Sequence, residues 1–454
     1  MQLNLYYGDC RDILRSLIER GVRVHSVVTD PPYHLESVVK RFGRDNAKGA
    51  RFGKDGRFAR QSRGFMGKLW DGADKDGTRI AQDPDFWRLV HDILLPGGYA
   101  LAFSSPRTGH WQAAAMEIAG FILHPFVAWV YGSGFPKAHS AARAIDRALG
   151  VEGTFVPAGN PVRRLRPGAD QNKTGSWEKL EDRFYQPGEY IPASVEAAAW
   201  QGWYYGGQSR KPAVEPIYVA QRPYSERNGA LNILKHGVGA VNIDGCRAPS
   251  NGGRHRDGEA SQDREYRERG STNFGLKPGP RGGSPLGRWP ANLIHDGSDE
   301  VVSLFPDAPG QLAASSTNQN SSKTRNVYGH YNVPQASMHP RKDSGSAARF
   351  FESYPFDGEP LIYCSKASRS DRAGSKHPTV KPIKLLQALI RHVTPPHGIV
   401  LDPFAGSGTT AEAAIREGVD CILIERDPEY VADIERRFGL WTEAHEYLER
   451  IGVL

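Results

Sequence analysis

The chain reads as an α/β protein: a mostly parallel, twisted sheet with helices on both faces and an irregular insert between two ordered halves. Three observations predict this. Short apolar runs such as Leu3–Tyr7, Val24–Thr29 and Asp420–Glu425 alternate with stretches of helical period, the rhythm of strands joined by crossover helices. Two of the strand ends are closed by strong turn residues, Asp30-Pro31-Pro32-Tyr33 and Asp402-Pro403-Phe404-Ala405-Gly406-Ser407-Gly408. The length, 454 residues with 39% hydrophobic, is enough for a large core and about two or three domains.

Along the first zone, strands are expected at Leu3–Tyr7, Val24–Thr29, Gly98–Ser104 and Phe121–Val130, and helices at Arg11–Arg20, Pro84–Leu95 and Trp111–Ala119. The second strand must stop at Asp30, because two prolines fix φ and remove two backbone donors. Segment 34–75 follows, rich in Gly, Arg, Lys and Phe. From Lys40 to Arg63 it carries nine basic residues (Lys40, Arg41, Arg44, Lys48, Arg51, Lys54, Arg57, Arg60, Arg63) against two acids, with Phe42, Phe52 and Phe58 between them. It has little apolar periodicity and reads as a loop. A solvated insertion is one reading. A basic flap closing on a phosphate backbone is the other, favoured by its place directly after Tyr33.

The middle zone, about 136–355, is polar and rich in Gly, Pro and Ser, with one strand-like run at Ile217–Gln221. Its segments 250–288 and 310–345 have weak periodicity. Order returns after 356: strands at Pro360–Ser365, Ile399–Leu401 and Asp420–Glu425, helices at Lys381–Val393, Thr409–Glu417 and Pro428–Leu440. The expected division is therefore 1–224, 225–355 and 356–454.

Composition narrows the class. The longest apolar stretches, such as Ile93–Phe103, are too short for a bilayer and contain Pro and Gly, so no membrane partner is expected. The N-terminus alternates like a strand and lacks a basic leader region with a cleavage site, so no signal peptide is expected. Four scattered cysteines without a CxxC pair argue against a zinc site or a disulfide framework and fit a reducing cytoplasm, and no metal is expected. A formal charge of +7 is compatible with a polyanionic partner.

Three motifs carry chemistry. Asp30 and Tyr33 leave a strand end together: a carboxylate that accepts from an amino group, and a ring that stacks on a flat one. The stretch from Asp402 to Gly408 is a glycine turn opening a helix at Thr409. Its glycines let backbone approach a ligand, and the helix N-terminus offers free amides. Glu425 ends the next strand, 19 residues after Gly406 (425 − 406), where an acid can accept both hydroxyls of a ribose. The absence of Lys after the glycines argues against a triphosphate loop. Asp9, at the tip of the first strand, is either a helix cap or a ligand group. His377-Pro378-Thr379-Val380-Lys381-Pro382 precedes a helix and could be no more than a proline-punctuated turn.

Together these motifs resemble the amino-group DNA methyltransferases that use S-adenosylmethionine, in the order of their beta group: catalytic motif first, variable recognition region next, cofactor loop last. The resemblance covers roughly 1–135 and 356–454. It is fainter at Trp129–Lys137 and Lys211–Gln221, and similar to phage members at Gly64–Asp71 and Gly287–Asn292. It implies a Rossmann-like methyltransferase fold of permuted order, with 225–355 as a recognition insert. It also implies S-adenosylmethionine as cofactor, held by Asp9, Asp402, Phe404, Gly406, Gly408, Thr409 and Glu425. Thr379 and Lys381 would close that side. The target base would be held by Asp30, Pro31, Pro32 and Tyr33. Double-stranded DNA would be the partner, gripped by Lys40, Arg41, Arg44, Arg51, Arg57 and Arg60. Relatives are often homodimers within restriction–modification systems; a cognate endonuclease is not readable here.

Asp at position 30 favours adenine N6 over cytosine N4, which stays the alternative within the enzyme class. C5 methylation is rejected, because none of the four cysteines follows a proline. A non-catalytic DNA-binding protein would be expected to have lost Asp30, Tyr33 or the glycines, and all are intact. RNA or protein-glutamine methylation usually goes with an Asn-Pro-Pro-Tyr form and a different motif order.

Overall fold

The computed structural model describes residues 2–34, 77–132, 134, 136–163, 169–171, 177–179, 184–248, 288–307, 325–326, 329–330, 345–354, 371, 373–375, 377 and 380–440. They fall into two compact units, Met1–Tyr33, Gly77–Ser133 and Val214–Leu454 in one, His34–Asp76 and Gly134–Ala213 in the other.

In the first unit the chain forms β1 (Leu3–Tyr7), α1 (Cys10–Glu19), β2 (Val24–Thr29), α2 (Pro84–Ile93), β3 (Leu94–Phe103), α3 (Gly109–Ile118) and β4 (Ile122–Val130). It resumes with β5 (Val214–Gln221), α4 (Gly229–His236), β6 (Leu293–His295), β7 (Glu352–Ser353) and α5 (Ile383–Val393). It closes with β8 (Ile399–Asp402), α6 (Thr409–Glu417), β9 (Asp420–Glu425) and α7 (Pro428–Phe438).

Among the described residues nine strands make one sheet, ordered β1-β9-β8-β2-β3-β5-β4-β6-β7. From β1 to β3 every pairing is parallel; β5 runs antiparallel between β3 and β4; β6 and β7 add parallel pairs at the far edge.

The strand sequences explain why both faces are covered. Successive strand side chains point to opposite faces. Accordingly Val27, Leu401 and Ile422 join one core cluster, while their neighbours Val28, Val400 and Leu423 join another. The first cluster is roofed by Leu14 and Leu17 of α1 and by Phe86, Trp87 and Val90 of α2. The second is roofed by Leu385, Leu386 and Leu389 of α5, Ala411 and Ala414 of α6, and Val431 and Ile434 of α7. Runs such as Val-Val-Thr and Ile-Val-Leu are therefore apolar on both sides, as buried parallel strands require. The strand order reverses between β8 and β2, so the site expected in such a sheet lies at their carboxyl ends.

The expected elements of this unit agree with the observed ones, with small shifts. The strand expected from Gly98 begins at Leu94, because the chain extends directly after α2. The strand expected at Pro360–Ser365 lies outside the described residues.

The middle zone departs from expectation: the compact division does not follow 225–355. Instead 134–213 belongs to the second unit, and β6, β7 and α4 belong to the first. The second unit pairs Lys137–Ser140 with Tyr204–Gln208 and Thr154–Pro157 with Gly188–Ile191, both antiparallel. A polar hub holds it. The buried Asp146 carboxylate accepts from Ser194 Oγ (2.6 Å), Ala193 N (2.9 Å), Ser194 N (3.0 Å) and Tyr190 Oη (2.9 Å). Hydrogen bonds to one carboxylate leave no apolar period in the sequence of this unit. Its surface exposes Trp200, Trp203, Tyr204 and Tyr205.

Candidate active site at the carboxyl edge of the sheet

Four strand ends bring the predicted motifs to one edge. β2 delivers Asp30 to Tyr33, β8 the glycine turn, β9 Glu425 and β1 Asp9. Tyr7 lies in register with Glu425, and the Gly8 N–H donates to the Glu425 carbonyl (3.0 Å), so Asp9 and Glu425 stand on adjacent strand ends. The ends of β2 and β8 are tied by Thr29 Oγ1 donating to Asp402 Oδ1 (2.7 Å).

Asp402 acts as a latch. It also accepts from Thr410 Oγ1 (2.5 Å) and the Phe404 N–H (3.0 Å), which bends the chain from β8 into α6. Burial pushes its carboxyl up to about 6 against the hydroxyl and amide donors that pull it down.

The glycine turn is shaped by two left-handed residues, Gly406 (φ +53°) and Gly408 (φ +75°). The Gly406 N–H donates to Glu425 Oε2 (2.7 Å), and a Cβ at Gly406 would stand 3.1 Å from His377 Nε2. The histidine of the His-Pro-Thr-Val-Lys-Pro stretch thus covers the glycine turn. Gly408 differs: a Cβ there would stand 3.0 Å from both Ile434 Cγ1 and Phe438 Cε2, so its bare Cα faces α7. Phe404 packs its ring 5.3 Å from Phe86, and Thr409 Oγ1 bonds Ser407 Oγ (2.9 Å).

Glu425 is buried. Besides Gly406 N it accepts from Arg426 N (2.9 Å) and Asp427 N (2.8 Å). Burial pushes its carboxyl up to about 7, and these amides oppose the rise. Asp9 is the N-cap of α1, accepting from Arg11 N (2.9 Å), and it is also gripped by the Arg11 guanidinium (2.9 and 2.7 Å), which holds its carboxyl below the usual range. The cap reading is therefore realised.

The tetrad after β2 has the most distinctive environment. Lys381 Nζ donates to Asp30 Oδ2 and to Tyr33 Oη (3.3 Å) and lies 3.8 Å from Glu215 Oε2. It stands over the rings of Phe103 (4.7 Å) and Tyr33 (5.4 Å). Tyr33 Oη donates to Glu215 Oε2 (3.3 Å), and Thr108 Oγ1 fixes the Tyr33 carbonyl (2.8 Å). Asp30 Oδ1 is buried and, among the described residues, has no hydrogen-bond partner.

Lys381, expected to close the cofactor side, places its ammonium on Asp30 and Tyr33, with the Asp402 carboxylate also close enough to act on it. Glu215 was missed. Its signal was a charged residue opening the apolar run Pro216–Ala220 of a buried strand. Thr379 and the basic residues Lys40, Arg41, Arg44, Arg51, Arg57 and Arg60 lie outside the described residues.

A family model described as DNA methylase matches residues 24–436. The type II methyltransferase M.HinfI of Haemophilus influenzae is 40% identical over 79 residues, 17% of this chain and 22% of that protein. The type II methyltransferase M2.LlaDCHI of Lactococcus lactis subsp. cremoris is 38% identical over 75 residues, 16% of this chain and 28% of that protein. The chain spans about a quarter of the length of the curated relatives it matches. Among solved structures, an M1.HpyAVI–SAM complex aligns over 96% of this chain and 100% of its own at 15% identity, with a TM-score of 0.36.

Proposed function

The chain belongs to the DNA methylase family, and from that premise we propose that it is a site-specific DNA methyltransferase. In this reading it moves a methyl group from S-adenosylmethionine to the exocyclic N6 amine of adenine in duplex DNA. The observation that carries the proposal is Asp30: one carboxylate oxygen is engaged by Lys381, while the other is a buried acceptor with no hydrogen-bond partner among the described residues.

An exocyclic amine conjugated with its ring is a poor nucleophile. Asp30 Oδ1 and the Pro31 carbonyl would accept its two N–H groups and turn the lone pair out of the ring plane. The base would have to leave the duplex, costing a few kcal/mol. Stacking on Tyr33 would return roughly 1–3 kcal/mol. Holding the reactants in line can lower the barrier by up to about 7–11 kcal/mol. The basic residues of 34–75, including Lys40, Arg41, Arg44, Arg51, Arg57 and Arg60, would grip the distorted backbone.

The residues at the β8 and β9 ends fit the cofactor. Gly406 has no side chain to press on His377, and the Glu425 carboxylate, bonded to the Gly406 N–H, would accept from the ribose hydroxyls. Asp9 stands on the neighbouring strand end. When bound, S-adenosylmethionine supplies a methyl group already activated on a sulfonium. The chain's part is to bind it and aim it at Asp30.

Glu425 makes this binding pH-dependent. The ribose hydroxyls need the anion as acceptor, and burial pushes the carboxyl up to about 7. Protonation removes the acceptor, so affinity for S-adenosylhomocysteine should fall as pH drops through 7, by up to about tenfold per unit. Calorimetry over a pH series checks this; a flat profile would remove Glu425 from the ribose role.

The reaction itself is tested by incubating the protein with labelled cofactor and mixed-sequence duplex DNA, then analysing the nucleosides by mass spectrometry. N6-methyladenine is expected. N4-methylcytosine would reassign the base, and unmodified nucleosides would remove the enzymatic reading.

A further inference from the structure

Beyond the tetrad, the pocket contains a second buried carboxylate, Glu215, which enters from β5 and is 4% exposed. It accepts from Tyr33 Oη (3.3 Å) and stands 3.8 Å from Lys381 Nζ. The same ammonium donates to Asp30 Oδ2 and to Tyr33 Oη. One cation is therefore shared by two carboxylates and a phenol. Among the described residues, the charged and titratable side chains around Lys381 are Asp30 on the β2 side, Tyr33 beside it, Glu215 on β5 and Asp402 at the end of β8.

From this arrangement we infer that Glu215 is a positioning residue of the methyl-transfer site. It holds the Tyr33 ring and the Lys381 ammonium, so that Lys381 stays on Asp30 Oδ2 and Oδ1 is left for the incoming amine. The inference rests on the methyltransferase reading of this pocket. Its chemical logic follows the charge change in the reaction. The attacking nitrogen forms a bond to carbon as the carbon–sulfur bond breaks, and it becomes cationic before its proton leaves to solvent. Carboxylates held in place beside that nitrogen stabilise the cation without reorganising.

Two effects of Glu215→Gln separate this role from simple packing. The amide keeps the shape and can still accept from Tyr33, but it no longer supports the ammonium. The alkaline limb of the kcat profile should therefore move to lower pH, and kcat should fall about 10- to 100-fold, the loss typical of a charged hydrogen bond, with KM for DNA little changed. Glu215→Ala should in addition weaken the fluorescence rise of duplex DNA carrying 2-aminopurine at the target, measured without cofactor, because Tyr33 loses its anchor.

Lys381 is also titrated directly by NMR in the cofactor-free protein, wild type against Glu215→Gln. A titration moved to lower pH in the variant supports the inference, whether or not any duplex tried is methylated. An unmoved titration overturns it even in a fully active enzyme. If wild-type protein leaves DNA unmodified while the Lys381 titration moves, the methyltransferase reading fails and the Glu215–Lys381 coupling stands. An unchanged kcat and pH profile in an active Glu215→Gln enzyme overturns the positioning role.

Discussion

Asp30→Ala is expected to lower kcat by at least about 10²–10³-fold, the cost of removing one preorganised polar group from a reacting centre, while affinity for the cofactor stays close to wild type. The structure separates the two effects. The Asp30 carboxylate touches Lys381. The groups expected to hold the cofactor, Gly406 and Glu425, bond each other instead. A complication is that the substitution strips Lys381 of a partner in a buried place, and breaking a buried pair destabilises strongly, by about 3–5 kcal/mol when both charges are fully enclosed. The Asp30 side chain is 21% exposed and Glu215 remains nearby, so the loss should be smaller. The double variant Asp30→Ala with Lys381→Met removes both charges. It should regain thermal stability and stay inactive. Calorimetric cofactor affinity, melting temperature and single-turnover methylation are the three readouts. An active Asp30→Ala enzyme would remove the aspartate from the role given to it.

The fold was legible where the code is local. β1, β2, α6 and β9 fall on the residues expected, because a parallel strand buried on both faces is a short apolar run and its stops are Pro, Gly or Asp. The strand ends carried the site for the same reason. Residues whose position depends on a distant partner were less legible. Lys381 sits in the stretch leading to the glycine turn, yet its long side chain crosses to the end of β2. Spacing along the chain cannot say which of two neighbouring strand ends a lysine will reach. Glu215 is a single acid opening a strand, and only the sheet order, with β5 beside β3, shows that it faces a pocket. The second unit was the least legible, since Asp146 and its four donors replace an apolar core as the feature that orders it.

The two glycines of the turn look equivalent in sequence and are expected to fail in different ways. At Gly406 the backbone is left-handed (φ +53°), its N–H bonds Glu425, and a side chain would press on the His377 ring. Left-handed backbone costs an L-residue roughly 1–2 kcal/mol, more when the side chain is β-branched. Valine there should pull the N–H off Glu425 and fill the space beside His377. Cofactor affinity should drop by about 100-fold or more, the equivalent of losing roughly 3 kcal/mol of hydrogen bonding to a charged group, while duplex DNA is still bound. At Gly408 (φ +75°) the obstruction is Ile434 and Phe438 of α7, the first buried in the core and the second partly buried against it. Valine there overpacks a core, which typically costs 1–3 kcal/mol in addition to the backbone strain. Its main effect should be a lower melting temperature, with cofactor affinity falling only as far as the folded fraction does. Measuring both quantities on both variants decides the matter. An unchanged dissociation constant for Gly406→Val would show that the turn does not carry the cofactor, whatever Gly408→Val does to stability.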